Sequence, residues 1–71
     1  MNFSNRLKEL RQHNKVSQQE LADLLGISTR ALRFYESGSR EPNIAGLITL
    51  ADFFNVSLDY LVGRSNDDNK R

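Results

Sequence analysis

The sequence predicts a small, entirely α-helical domain. Apolar residues recur three and four positions apart along most of the chain, which is the spacing that lines one face of a helix. Serine or asparagine, which favour the start of a helix, precede several of these runs, and glycines follow some of them. The chain contains neither an alternating apolar run nor an Asn-Gly or Asp-Gly turn, the usual signs of strands and hairpins. Together these observations favour five short helices.

The first two helices follow from apolar spacing and a capping motif. Three apolar residues recur at helical spacing near the start of the chain: Phe3, Leu7 and Leu10. They predict a helix over about residues 3–14. A second helix over about residues 17–25 begins at Ser17, and Glu20 three positions later completes an S-x-x-E capping box. Gly26 is then placed to end that helix in the left-handed conformation.

Capping residues also delimit the third and fourth helices. Ser28 is an N-cap candidate shortly after the second helix, so the chain turns sharply into a third helix that ends at Gly38. Asn43 caps a fourth helix, which ends at Asn55. That helix carries a long apolar stripe: Ile44, Leu47, Ile48, Ala51 and Phe54.

The end of the globular region contains more apolar residues than one core needs. Ser57 caps a last turn or two of helix, closed by Gly63. Apolar residues lie on both sides of the fourth helix, and one side cannot face inward. We therefore predict a homodimer interface formed by this region: Phe53, Leu58, Tyr60, Leu61 and Val62.

Length and composition limit the chain to one domain. Its 71 residues have room for a single core, which we place in residues 1–63, before a polar tail at 64–71 that we expect to be disordered. No apolar run approaches the roughly 20 residues that cross a membrane. The start is charged throughout and does not resemble a signal peptide. We expect a cytoplasmic protein without membrane contact.

The chain has few residues suited to catalysis or metal binding. It contains no cysteine, and its single histidine, His13, has no cluster of other ligands near it in the sequence. Neither a Ser-His-Asp or Cys-His set nor a phosphate-cradling glycine loop is present. We expect no metal, no cofactor and no enzyme activity. The net charge of +1 gives no argument for nucleic acid, because residues 1–62 hold seven basic and seven acidic residues.

A helical wheel divides the third helix into two unlike halves. Leu32 and Tyr35 belong to the half that faces the core, together with the small residue Ala31. The other half carries mainly polar and basic residues with one aromatic residue: Thr29, Arg30, Arg33, Phe34 and Ser37. A fully solvated face rarely gains from a phenylalanine, whereas a face that meets a ligand can.

Four segments occur in order along the chain: RLKELR, SQQELADLLGIS, YESGSREPN and LITLADFFNVSLDYLVG. In this order and spacing they resemble the lambda-repressor-like, Cro/Xre family of bacterial and phage regulators, across about residues 3–63. The resemblance implies a five-helix fold with a helix-turn-helix at about residues 17–37. It also implies sequence-specific binding of double-stranded DNA in the major groove, usually as a dimer.

The resemblance further assigns roles to individual residues. The third helix becomes the recognition helix, with candidate base contacts at Thr29, Arg30, Arg33 and Phe34. Arg can bond bidentately to guanine, and Thr or Phe can contact a thymine methyl group. Candidate phosphate contacts are Gln18, which can also brace the recognition helix, Ser37 and Arg40. Arg11 and Glu36 match a partly buried ion pair that in some members ties the first helix to the third.

Two points have alternatives. Family members usually have a polar residue where this chain has Phe34, so the ring either contacts a thymine methyl, which we favour, or packs beneath the turn at 38–42. The predicted function is a transcriptional regulator, a repressor that binds a near-palindromic operator as a homodimer and that a regulatory protein partner could control. The alternative is an antitoxin-like interaction module of the same fold, which uses its fourth and fifth helices to hold a protein partner.

Overall fold

A computed structural model describes residues 2–65 as five helices: α1 (Phe3–His13), α2 (Gln18–Leu25), α3 (Thr29–Ser37), α4 (Ile44–Phe54) and α5 (Leu58–Leu61). No strand occurs within this range, and the predicted all-α fold is confirmed. None of these helices is long and apolar enough to cross a membrane. The predicted disorder of the tail falls almost wholly on residues 66–71, which lie outside the described part of the chain.

Each helix begins at a side-chain cap. The cap oxygen in every case accepts a hydrogen bond from the backbone N–H three residues later, and the capping residues are Asn2, Ser17, Ser28, Asn43 and Ser57. At α2 the Ser17 hydroxyl accepts from the Glu20 N–H at 3.0 Å, and the Glu20 carboxylate accepts from the Ser17 N–H at 3.1 Å. The predicted capping box is therefore confirmed.

Two glycines end the helices that flank the sharp turn. Gly26 closes α2 with a φ of 69°, and Gly38 closes α3 with a φ of 84°. Both angles lie in the left-handed region, where a side chain would be strained. A Cβ atom at Gly38 would also lie 3.4 Å from the Ser4 hydroxyl of α1. The end of α3 is thus held close to the start of α1.

The core joins residues from all five helices and the α4–α5 turn. Its buried apolar members are Phe3, Leu7, Leu10, Leu21, Ala22, Leu32, Leu50, Ala51, Val56 and Leu61. Helix α1 packs against both α3 and α5, α2 packs against α3, and α4 packs against α5. The small side chain of Ala22 is fully buried, as expected where α2 crosses α3 closely. Helix α3 is therefore supported from two sides while its remaining face is left open.

The apolar stripe of α4 is only partly buried. Ile44 is 74% exposed and Ile48 is 42% exposed, so these two residues lie at the surface. The stripe packs against the core through Leu47 and Ala51. One residue predicted for the dimer interface is wrong: Leu61 has no exposed surface and belongs to the core. A side chain packed there cannot meet a partner without unfolding α5.

Candidate nucleic-acid interface

Helix α3 exposes the half that the sequence predicted. Leu32 and Glu36 are buried, whereas Arg30, Arg33 and Ser37 are exposed. The remaining residues are half-buried: Thr29, Ala31, Phe34 and Tyr35. The helix therefore has an inner side that fixes its position and an outer side on which both arginines face solvent.

A network centred on Glu36 holds α3 against α1 and α2. The Nε and Nη2 atoms of Arg11 both donate to the Glu36 carboxylate, the second at 3.2 Å. Gln18 Nε2 donates to Glu36 Oε1 at 3.1 Å, and Arg11 Nη1 donates to the Val16 carbonyl at 3.1 Å. The side chains of Arg11 and Glu36 are only 14% and 5% exposed. This network is the predicted ion pair together with the predicted brace from Gln18.

An open cleft of about 360 Å³ lies along one edge of the exposed face of α3. Its lining residues come from α3, from its N-cap and from the turn after it: Ser28, Arg30, Ala31, Phe34 and Arg40. The guanidinium carbon of Arg40 is 4.6 Å from the centre of the Phe34 ring, and that of Arg30 is 5.7 Å from it. Both distances fall within the range of a cation–π contact. We call Arg30, Phe34 and Arg40 the aromatic–arginine cluster.

A second cleft of about 380 Å³ flanks the other edge of α3. It lies between α1, the start of α2 and the end of α3, and its lining residues are Lys8, Arg11, Gln18, Arg33, Glu36 and Ser37. Lys8 was not among the site residues predicted from the sequence, because a helical wheel of α3 cannot show which part of α1 lies beside that helix. Its spacing is the signal that could have found it: Lys8 precedes Arg11 by three positions and so shares its face of α1.

Four of the five cations that line these clefts have no carboxylate partner among the described residues, the exception being Arg11. Within residues 2–65, none of Lys8, Arg30, Arg33 and Arg40 takes part in an ion pair. By contrast, Arg6 pairs with Glu9, and Arg64 pairs with Asp59. The single carboxylate that lines the clefts, Glu36, is already neutralised by Arg11. The outer side of α3 and its surroundings therefore carry uncompensated positive charge.

Three of the predicted contact residues are less well placed or already engaged, among them Gln18, whose amide already donates to Glu36. Thr29 is half-buried at the first position of α3 and lines neither cleft. The Ser37 hydroxyl donates to the Phe34 carbonyl at 3.1 Å and lies 3.0 Å from the Ser39 hydroxyl. Ser37 thus closes the end of α3 as well as lining the second cleft.

The apolar surface near α5 lies apart from the two clefts. Phe53 is 46% exposed and Leu58 is 43% exposed, while Tyr60 and Val62 are half-buried. The Tyr60 ring covers Arg6, whose guanidinium carbon lies 3.6 Å from the ring centre, and Arg6 Nη1 donates to the Tyr60 carbonyl at 3.0 Å. Arg6 is almost fully buried, so it is a structural cation that spacing alone did not identify.

Known proteins resemble this chain over nearly all of the described region. The helix-turn-helix family model matches residues 7–61. YqaE of Bacillus subtilis (strain 168), named as an uncharacterized HTH-type transcriptional regulator, is 48% identical over 92% of this chain and 57% of its own length. AnsR of the same organism, named as an HTH-type transcriptional regulator, is 48% identical over 83% of this chain and 51% of its own length. The chain thus spans a little over half the length of these relatives.

A solved structure extends the likeness to the fold. The P22 c2 repressor protein, solved in complex with synthetic operator 9T, superposes with a TM-score of 0.82 at 28% identity, covering 92% of this chain and 98% of that one. The family match covers most of the chain, and the five helices agree with the fold that the resemblance implies. The chain belongs to the lambda-repressor-like, Cro/Xre-type helix-turn-helix family.

Proposed function

We propose that this domain binds double-stranded DNA in a sequence-specific manner, with α3 in the major groove, and acts as a transcriptional regulator of the repressor type. The observation that carries the proposal is the set of cations without carboxylate partners on and beside α3: Lys8, Arg30, Arg33 and Arg40. DNA phosphates provide the missing negative charge, and base edges in the major groove accept hydrogen bonds from arginine. The operator-bound P22 c2 repressor supports the proposal by its fold.

The proposed contacts divide into two kinds. We assign base edges to Thr29, Arg30 and Arg33, since they lie on the outer half of α3. Phe34 lies on the same half, where its ring is close to the guanidinium groups of Arg30 and Arg40. We assign phosphates to Gln18, Ser37 and Arg40, to which Lys8 is added because it lines the second cleft with two of them. Phosphate contacts fix the position of a protein on the duplex, whereas base contacts select the sequence.

The domain is further proposed to bind a near-palindromic operator as a homodimer. Support comes from the exposed apolar surface around Phe53 and Leu58, with Tyr60 and Val62 beside it. In such a dimer the centres of the two half-sites lie about 34 Å apart, one turn of DNA. Sedimentation at micromolar concentration, with and without DNA, is expected to show a dimer. A monomer under both conditions would remove the argument for a palindrome.

A second candidate is an interaction module that holds a protein partner, as an antitoxin does. The observation in its favour is the exposed apolar side of α4, where Ile44 is 74% and Ile48 is 42% exposed. The uncompensated cations of the two clefts weigh against this as the sole function, since an apolar partner surface would not require them.

Selection from a random pool of duplex DNA separates the two candidates. The proposed function predicts enrichment of one sequence family with two related half-sites. Binding of the enriched duplex should then exceed binding of a shuffled duplex by at least the 10³-fold that is typical of specific recognition. Recovery of the unselected pool, or no recovery, would contradict sequence-specific binding and favour the interaction module.

A further inference from the structure

We propose that Phe34 is a positioning residue: its ring holds the guanidinium groups of Arg30 and Arg40 at the outer surface of α3, so that one aromatic side chain organises a base contact and a phosphate contact together. This inference rests on the proposed DNA-binding function. It differs from a thymine-methyl contact, because here the ring acts through the two arginines.

The geometry of the aromatic–arginine cluster supports this role. The two guanidinium carbons lie 4.6 Å and 5.7 Å from the ring centre, close enough for attraction by the negative face of the ring. The ring is half-buried, whereas both arginines are exposed. In the part of the chain that the structure describes, neither arginine has a carboxylate partner that could hold it elsewhere. The ring is therefore the feature that orders these two side chains.

The turn after α3 is built around the same residue. The Phe34 carbonyl accepts hydrogen bonds from the N–H groups of Ser39, at 3.0 Å, and Arg40, at 3.3 Å. It also accepts from the Ser37 hydroxyl at 3.1 Å. The backbone of Arg40 is thereby tied to that of Phe34, and its side chain folds back over the ring. The turn therefore brings Arg40 beside residue 34, and the Phe34 ring is the side chain that meets its guanidinium group.

Ordering of the arginines before binding has a physical benefit. A free exposed arginine samples many rotamers, and fixing them on DNA opposes association. A guanidinium already held near its bound position loses less freedom. The ring also places two like charges side by side without a carboxylate, an arrangement that matches a polyanion and would be of little use in folding.

The experiment compares Phe34→Leu with Phe34→Tyr in the complete chain. Leucine keeps an apolar side chain but lacks the ring quadrupole, whereas tyrosine keeps the ring. The probe is the duplex most enriched by the wild-type chain from a random pool. We expect Phe34→Leu to weaken binding roughly 5- to 20-fold, because each exposed cation–π contact corresponds to about a two- to fivefold effect, and Phe34→Tyr to stay within about twofold.

A double-mutant cycle isolates the coupling to each arginine. In an Arg40→Ala background the loss caused by Phe34→Leu should shrink by about two- to fivefold, and likewise in an Arg30→Ala background. Equal losses in all backgrounds would overturn the inference. A thymine-methyl contact instead predicts that Phe34→Leu binds like the wild type and that replacing thymine by uracil weakens the wild type. That pattern would overturn the inference as well.

Measurements without DNA distinguish this inference from the proposed function. Proton NMR should show upfield shifts for the Arg40 side chain that disappear in Phe34→Leu and persist in Phe34→Tyr, with melting temperatures within a few degrees of wild type. Loss of folding in Phe34→Leu would assign the ring to packing beneath the turn and overturn the inference.

The selection experiment separates failure of the proposed function from failure of the inference. If no duplex is enriched, the proposed function fails and the inference fails with it. An enriched duplex that Phe34→Leu binds normally would refute the inference alone.

Discussion

The arginines of α1 and those of α3 with its following turn are used in opposite ways. On α1, Arg6 lies under the Tyr60 ring and Arg11 is held by Glu36, and the side chains of both arginines are at most 14% exposed. On α3 and in the turn after it, Arg30 and Arg40 are exposed and have no carboxylate partner among the described residues. The same residue type therefore serves the fold in one helix and remains available to a ligand in another.

The difference shows that the surroundings of a cation, more than its identity, determine its role. Burial of an unpaired guanidinium is strongly unfavourable, so an inward-facing arginine requires a carboxylate, a carbonyl or a ring. An outward-facing arginine has no such requirement, and folding alone does not explain why several of them collect without acidic neighbours. Net charge conceals this separation, since it averages the paired and the unpaired cations together.

The largest expected effect is the loss of stability when the buried ion pair between Arg11 and Glu36 is broken. Arg11→Ala leaves the Glu36 carboxylate buried with only Gln18 as a partner, and we expect a loss of about 3–5 kcal/mol in the free energy of unfolding. Urea denaturation measures this loss. Arg64→Ala is the matched control, because its pair with Asp59 is exposed and should contribute only about 0–1 kcal/mol. Similar losses in both variants would remove the distinction between the two kinds of arginine.

Substitution of Arg6, the other arginine of α1, should lower the stability of the fold by a smaller amount. Arg6→Ala removes a charged hydrogen bond to the Tyr60 carbonyl and the contact with its ring, for which we expect a loss of about 2–3 kcal/mol. Lys8→Ala provides the comparison on the same helix, since an exposed side chain without an ion pair should change stability by less than about 0.5 kcal/mol. Thermal melting measures both variants. If Arg6→Ala changed the melting temperature as little as Lys8→Ala does, the position of α5 would not depend on Arg6.

An arginine of α3 should show the reverse pattern. Arg30→Ala is expected to leave the melting temperature unchanged, to cost about 1–3 kcal/mol on the selected duplex and to relax preference at one base pair. Arg30→Lys keeps the charge but loses the bidentate geometry, so it should lose the same preference. Binding to all single-base variants of the duplex tests both substitutions. A uniform loss across these variants would reassign Arg30 to a phosphate.

Local features were the most predictable part of the fold. Capping is local, so the start of α2 at Ser17 and the end of α3 at Gly38 could be predicted from a few neighbouring residues. The exposure of Ile44 and the burial of Leu61 could not be predicted in this way. Periodicity identifies the apolar side of a helix but does not show which other element, if any, covers it.

Within the site, the exposed residues of α3 were predictable from the sequence pattern, whereas on α1 only Arg11 was predicted, through the family resemblance. A wheel of α3 separates its exposed arginines from its core residues without knowledge of any other helix. The role of Arg6 depends on Tyr60, which is 54 positions away, and that of Lys8 depends on a cleft between three helices. The stacking of Arg40 on Phe34 required the path of the turn, which caps alone do not define.

The dependence of DNA affinity on salt concentration tests the central claim most directly, namely that the unpaired cations meet the DNA backbone. The logarithm of the affinity for the selected duplex should fall steeply and linearly with the logarithm of the salt concentration. Arg40→Ala and Lys8→Ala should each reduce that slope by about 0.9 for each bound protomer. Arg64→Ala, which removes one positive charge from an ion pair, should leave the slope unchanged. Equal slopes in all variants, or an equal reduction by Arg64→Ala, would contradict the claim.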